Sequence, residues 1–315
     1  MSNLRELAAT LRGLPGVLAK ADIAIVGDVL GAGDWYAGPG DDGAVLPPGD
    51  GHVIVGGESI LPSFVAADPH GAGIAAVLAN VNDLAAMGAR PVAIVDTVVG
   101  PEEIARSILS GMAWAAKRYD VPIVGGHLTR LDGPPALSAF GVGRADRVLS
   151  ARNAAVGQAL VVGCCTEGRM RADFPFFPSF EQRADHLAGD VRLLADIASR
   201  GLAVAAKDVS MAGLVGSLAM LLEPNAAGVT VDLDLLPTPV GVTLPAWLSC
   251  FPAYAFLLIC EPAAVTGCVQ AFQQRGLQAA HIGDLDGSGL VRLREGDVVE
   301  TVFDLGQHGV THLRR

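Results

Sequence analysis

Five carboxylates of this 315-residue chain stand where side chains serve chemistry better than packing: Asp41, Asp42, Glu58, Asp83 and Asp208. Each lies at an element end beside Gly or Ser, or on a polar stripe of an otherwise apolar helix. Hard carboxylate oxygens of this kind suit Mg²⁺, which takes a few of them together with phosphates and water. The matching chemistry is phosphoryl transfer, in which catalysis is mostly positioning and neutralisation of developing charge. Taken singly, each residue also reads as a turn or a cap. Asp41-Asp42-Gly43 is an ordinary turn, and Asp208 or Ser210 suits the start of the next helix. Spacing alone does not bring the five together.

The elements that must position them start with the run from Ala79 to Pro91. Ile74, Leu78, Val81 and Ala85 fall at helical offsets, and Asn80, Asp83 and Met87 repeat on a neighbouring stripe. Gly88 and Pro91 supply the stop. Unpaired polar groups are costly inside such a helix, so the stripe is expected to face a ligand, an ion or a cleft. Asp68-Pro69 reads as the N-cap and first position of this helix.

Upstream, an amphipathic helix is followed by a glycine-rich segment from Gly27 to Gly43, with Gly31, Gly33, Gly38 and Gly40. It lacks either phosphate-binding glycine signature, so a lid or connector is the expectation. Strand-like Ala44–Leu46 and His52–Val55 follow, the second running into Gly57-Glu58. Further on come a strand from Pro91 to Val99 with Asp96 inside it, and a helix from Pro101 to Arg118. Strand Val121–Val124 then leads into Gly125-Gly126-His127-Leu128-Thr129, and Ala136–Val142 is a strand. The shift through Arg144, Asp146, Arg147 and Arg152 marks a domain boundary near residue 150. The second half mixes strands (Ala159–Val162, Leu202–Ala206, Tyr254–Ile259) with helices (Gln182–Ser199, Met211–Leu222, Ala263–Arg275). Neither half alternates β and α regularly, which favours α+β domains over one doubly wound sheet.

Composition narrows the function classes. The net charge of −11 argues against nucleic acid and anionic membrane as partners. Lysine chemistry has three candidates, Lys20, Lys117 and Lys207. The five cysteines contain no C-x-x-C pair and read as buried thiols, not a disulfide framework. The longest uncharged apolar stretch, Leu244–Cys260, holds two prolines and is short for a membrane span. With no signal peptide pattern at its start, the chain reads as a soluble cytoplasmic protein. In the Phe-rich loop Glu167–Pro178, Arg169 and Arg171 beside Phe174, Phe176 and Phe177 could hold an anionic, planar substrate. A surface loop anchored by its phenylalanines fits equally well.

Four motifs occur in order: Gly40-Asp41-Asp42-Gly43-Ala44-Val45-Leu46, Asn82-Asp83-Leu84-Ala85-Ala86-Met87-Gly88-Ala89, Val121-Pro122-Ile123-Val124-Gly125-Gly126-His127 and Lys207-Asp208-Val209-Ser210. Together they resemble the aminoimidazole ribonucleotide (AIR) synthetase-like superfamily over nearly the whole chain. Its members include AIR synthetase, thiamine-monophosphate kinase, selenophosphate synthetase and the hydrogenase maturation carbamoyl dehydratase. The resemblance implies two α+β domains, 1–150 and 151–315. The first would pair with its symmetry mate into a β-barrel-like homodimer, and the second would flank an ATP cleft. Carried over, Asp41 or Asp42, Asp83 and Asp208 would hold Mg²⁺ against the ATP phosphates, with Glu58 where many members have Asp. Asn82 would hydrogen-bond a phosphate, Gly125 and Gly126 would let the backbone approach the nucleotide, and His127 would touch substrate or phosphate.

Departures separate the chain from the named activities. It has no N-terminal reactive Cys and Lys, no C-terminal Cys, and no Gly-Val-Gly-Thr-Lys motif. It reads Gly125-Gly126-His127-Leu128-Thr129 and Met211 where thiamine-monophosphate kinases usually have Gly-Gly-Asp-Thr and a further Asp. The implied activity is ATP- and Mg²⁺-dependent phosphoryl transfer to, or activation of, an oxygen of a small molecule. The alternative is a nucleotide-binding regulator or assembly partner without turnover, suggested by Met211 and Glu58.

Overall fold

The computed structural model of the protein describes residues 4–24, 41–46 and 51–312. The glycine-rich segment up to Gly40 lies outside them. The chain divides into two compact units that interleave in sequence. One unit comprises residues 42–147 and 183–199; the other comprises 1–41, 148–182 and 200–315.

Two helices open the chain, α1 (Leu4–Arg12) and α2 (Pro15–Leu18), and both belong to the second of these units. The unit 42–147/183–199 is built on strands β1 (Ala44–Val45), β2 (His52–Ile60), β3 (Arg90–Gly100), β4 (Ile123–Arg130) and β5 (Ala136–Ala145). They form one open sheet in the order β1-β2-β5-β3-β4, antiparallel except for β3 with β4. After α3 (Pro62–Ala67) come the helices α4 (Pro69–Ala86) and α5 (Glu102–Tyr119), which cover one face. Alternation along β5 shows it: Leu137, Ala139, Gly141, Gly143 and Ala145 are buried, and Phe140 and Arg144 are exposed. A strand with one wet face is what an antiparallel sheet allows.

Helix α4 starts as the sequence suggests, with Asp68 Oδ1 accepting from the Gly71 N–H at 2.8 Å. It ends at Gly88, whose φ of 73° suits glycine, and the Gly88 and Ala89 N–H groups close onto Ala85 and Leu84. From Ala76 onward almost every residue is buried on every side, because the sheet, α5 and the later helix α7 (Leu187–Ser199) all pack on it. The polar stripe therefore does not simply face a cleft. Asn80 is fully buried and donates to the carbonyls of Ala76 (2.8 Å) and Ala139 (3.2 Å), tying the helix to β5. Helices α4 and α5 cross backbone to backbone: a Cβ on Gly73 would lie 2.1 Å from Ile108 O, and one on Gly111 2.0 Å from His70 O.

The other unit holds a seven-stranded sheet and most of the apolar core. Its strands are β6 (Ala159–Cys164), β8 (Ala205–Asp208), β9 (Gly228–Asp232), β11 (Ala255–Cys260), β12 (Gln278–Asp286), β13 (Leu290–Glu295) and β14 (Val298–Asp304). The order is β14-β13-β9-β12-β6-β11-β8, and β6 and β11 are buried along their whole length. Short strands β7 (Phe176–Phe177) and β10 (Phe251–Pro252) pair separately. Helices α6 (Phe180–Arg183), α8 (Gly213–Leu222), α9 (Leu244–Ser249) and α10 (Val265–Gln273) complete the chain. All five cysteines are buried, and none is in a disulfide. Among the described residues no helix is long and apolar enough to cross a membrane, and neither sheet closes into a barrel.

Candidate functional site

Asp83 lies on the last turn of α4, 9% exposed, and Asp42 lies just before β1. Carboxylate oxygens of the two come within 4.8 Å of each other. Gly43 makes this approach feasible. A Cβ there would meet Ile54 Cγ2 at 2.8 Å and Met87 Cγ at 3.3 Å, so only glycine lets the chain after Asp42 lie against the end of α4. Two carboxylates this close repel each other unless a cation stands between them. Their hard oxygen donors are of the type Mg²⁺ takes.

Asp41, the adjacent residue, belongs to the other unit and has different work. Its Oδ2 accepts from Ser150 Oγ and its Oδ1 from the Ala151 N–H, both at 2.6 Å. Burial pushes its pKa above the ordinary range. The bonds from Ser150 and Ala151, and the charges of Arg152 and Lys207, pull the other way. Both oxygens are thus engaged in anchoring the chain.

Asp208 ends β8, 3% exposed, and its Oδ1 accepts from the Lys207 ammonium at 2.9 Å. It does not cap the helix that follows. Helix α8 starts at Gly213 with no side-chain cap, and the Ser210 N–H donates to Ser217 Oγ. The chain around Met211 is pressed by α2, since a Cβ on Gly16 would lie 2.0 Å from Met211 O.

Glu58 and the Gly125-Gly126-His127 run lie inside strands, not at or just after strand ends. Strand β2 continues to Ile60, with Glu58 opposite Ala139. Strand β4 runs through to Arg130 as the exposed edge of its sheet, its glycines paired with Val95 and Asp96. Extended φ/ψ tolerates glycine, and ladder bonds to β3 supply what the Gly pair lacks in propensity. Asn82, on α4 beside Asp83, is 1% exposed.

Of the two arginines in the Phe-rich loop, Arg171 is paired with Asp173 through bonds of 2.9 and 2.6 Å. This pairing holds the Asp173 carboxyl down at about 2. Arg169 is exposed. Phe176 and Phe177 anchor the loop against Phe251 and Trp247. The side chain that the sequence singled out least is Asp96, noted only as an acid within a strand. It is 8% exposed and lines an open cavity of about 390 Å³ with Gly125, Gly126 and His127. An acid at an inward position of an alternating strand was the available signal.

Sequence and structure comparisons agree on kinship. The family model described as AIR synthase related protein, N-terminal domain, matches residues 40–145, and its C-terminal counterpart matches 170–295. An uncharacterized protein of Synechocystis sp. is 35% identical, with 98% of each chain covered. The phosphoribosylformylglycinamidine synthase subunit PurL of Parasynechococcus marenigrum is 27% identical over 84% of this chain and 38% of its own length. Among solved structures, T. maritima PurL complexed with ATP superposes with a TM-score of 0.72 at 19% identity, covering 85% of this chain and 46% of that one. AaThiL complexed with AMPPCP and TMP gives 0.65 at 19%, covering 89% and 96%. This chain thus spans about half or less of the PurL chains it matches, and at these identities the structural likeness shows a shared fold. With both family models matched in order and a full-length relative above 30% identity, the chain belongs to the AIR synthase related family, in its two-domain α+β fold.

Proposed function

We propose that the protein uses ATP with Mg²⁺ to phosphorylate, or otherwise activate, an oxygen of a small-molecule substrate. The observation that carries this reading is the approach of Asp42 and Asp83 to within 4.8 Å at the end of α4. Solved relatives described as complexes with ATP and with AMPPCP support the nucleotide. In this reading Asp42, Asp83 and Asp208 hold the ion, with Glu58 as a further candidate on β2. Mg²⁺ at such a site neutralises phosphate charge and orients the phosphates. Asp41, its oxygens taken by Ser150 and Ala151, holds the chain and not the ion. Lys207 fixes one oxygen of Asp208 and leaves the other for the cation. Asn82 bonds a phosphate, and Gly125 and Gly126 let the backbone approach the nucleotide. His127, exposed on β4, contacts the substrate, whose anionic part Arg169 and Arg171 attract.

Titration calorimetry with AMPPCP, with and without Mg²⁺, tests the reading. Binding is expected only with Mg²⁺ and is expected to be lost in Asp83→Ala and in Asp208→Ala. Absence of binding to the wild type, or binding unchanged in both variants, overturns it. A second reading has its own observation. Met211, 40% exposed three residues after Asp208, stands where thiamine-monophosphate kinases usually have an acid, which suits a nucleotide-binding regulator without turnover. Release of ADP with any member of a small-molecule panel, absent in Asp83→Ala, separates the two. We also propose a homodimer formed through the open face of the five-stranded sheet. There Phe140, 42% exposed, sits opposite Val95 and lies over Gly57.

A further inference from the structure

Strand β3 presents one carboxylate to the helix-covered side of its sheet. Asp96 stands between Ile94 and Val98 on that side, both of them buried. More than nine-tenths of it is buried, yet among the described residues it accepts no hydrogen bond and makes no ion pair. A carboxylate placed this way ordinarily finds a partner, because desolvation without one is costly. Burial alone raises its pKa, and no neighbouring charge contributes.

The carboxyl group lies over the backbone of its ladder partner Gly126. A Cβ at position 126 would come within 2.6 Å of Asp96 Oδ1 and 2.7 Å of Asp96 O, whereas one at Gly125 would meet nothing within 4 Å. The absent side chain at 126 is therefore what keeps the acid reachable from the open edge of β4. The cavity of about 390 Å³ in front of it is walled by Val98, Leu109, Ile123 and Leu128, with His127 on its lining and no lysine or arginine. Its one acid favours a cation over an anion of the same shape. It complements a small positively charged group that can donate N–H bonds and lay carbon against the walls.

We infer that this cavity binds a small organic cation, an amine or amidinium, whose N–H groups pair with Asp96 over the bare backbone of Gly126. The inference rests on the proposed function and deepens it, since Gly125, Gly126 and His127 line this same cavity; only the Asp42–Asp83 pair is remote. Asp96 lies on β3, three strands away from β1 beside which Asp42 sits, a span of about 14 Å across the sheet.

Calorimetric titration of the full-length protein with benzamidine, with benzoate and benzamide as anionic and neutral counterparts of the same shape, is the test. Benzamidine is expected to bind and benzoate is not. Asp96→Asn is expected to weaken benzamidine by about thirtyfold or more while staying folded. Gly126→Ala, which fills the cradle, is expected to weaken it similarly. Asp83→Ala is expected to leave it unchanged, so loss of the nucleotide site and of this one can be told apart. Failure of the wild type to bind benzamidine, equal binding of benzoate, or unchanged affinity in Asp96→Asn overturns the assignment.

Discussion

A charge buried with a partner and a charge buried without one respond oppositely to mutation. Arg183 and Asp190 form a bidentate pair of 2.7 and 2.9 Å, with side chains 7% and 1% exposed. Arg183→Met strands the acid and is expected to cost about 3–5 kcal/mol in chemical denaturation. The double variant Arg183→Met/Asp190→Leu is expected to recover most of that loss. Asp96 is the converse. Burial raises its folded pKa above the unfolded one, so its contribution to stability is greatest below pH of about 4 and is lost as pH rises through the folded pKa. Asp96→Asn removes that loss. Thermal melts are expected to show no advantage for the variant at low pH and a growing one toward neutrality, and a variant less stable than wild type at pH 7 would contradict this. A protein that keeps a destabilising acid beside a cavity is expected to use it.

At the scale of elements, the position of Asp83 depends on how closely α4 can approach α5 and the sheet. Gly73 and Gly111 set the helix crossing, Asn80 staples α4 to β5, and Gly43 lets the chain bearing Asp42 lie against the helix end. Gly111→Ala would place a methyl against the His70 carbonyl and is expected to cost about 1–3 kcal/mol in denaturant unfolding. Because α4 carries Asp83, the same variant is expected to weaken Mg²⁺-dependent AMPPCP binding. Gly125→Ala is the contrasting case. With nothing within 4 Å of its added carbon, its stability is expected to stay within about 0.5 kcal/mol of wild type.

For the whole molecule, the five-stranded sheet has one face under helices and one face open, with β4 exposed along nearly its full length. Exposed aromatic side chains on an open sheet face are features that folded chains usually cover. Light scattering at micromolar concentration is therefore expected to give twice the chain mass of 32.3 kDa. Phe140→Glu, which puts a charge at the centre of the open face, is expected to shift the protein toward the monomer without unfolding it. A wild-type monomer would remove the dimer from the proposal.

Much of this was legible from residue order alone, for local reasons. The extent of α4, its Asp68 cap and its Gly88 stop follow from helical spacing and end chemistry, and four ordered motifs sufficed to place the family. What periodicity could not distinguish was a polar residue that serves the fold from one that serves a ligand. Asn80 and Asp83 share a stripe, but Asn80 bonds to β5 and Asp83 meets Asp42. Neighbours in sequence diverge in the same way, Asp41 turning to Ser150 and Asp42 to Asp83. Asp96 gave no motif at all. Its burial without a partner depends on Gly126, 30 residues away and adjacent only because β3 and β4 pair. Short-range pattern determines where helices and strands form, whereas the partners a polar atom finds, or lacks, depend on contacts that exist only once the sheet has assembled.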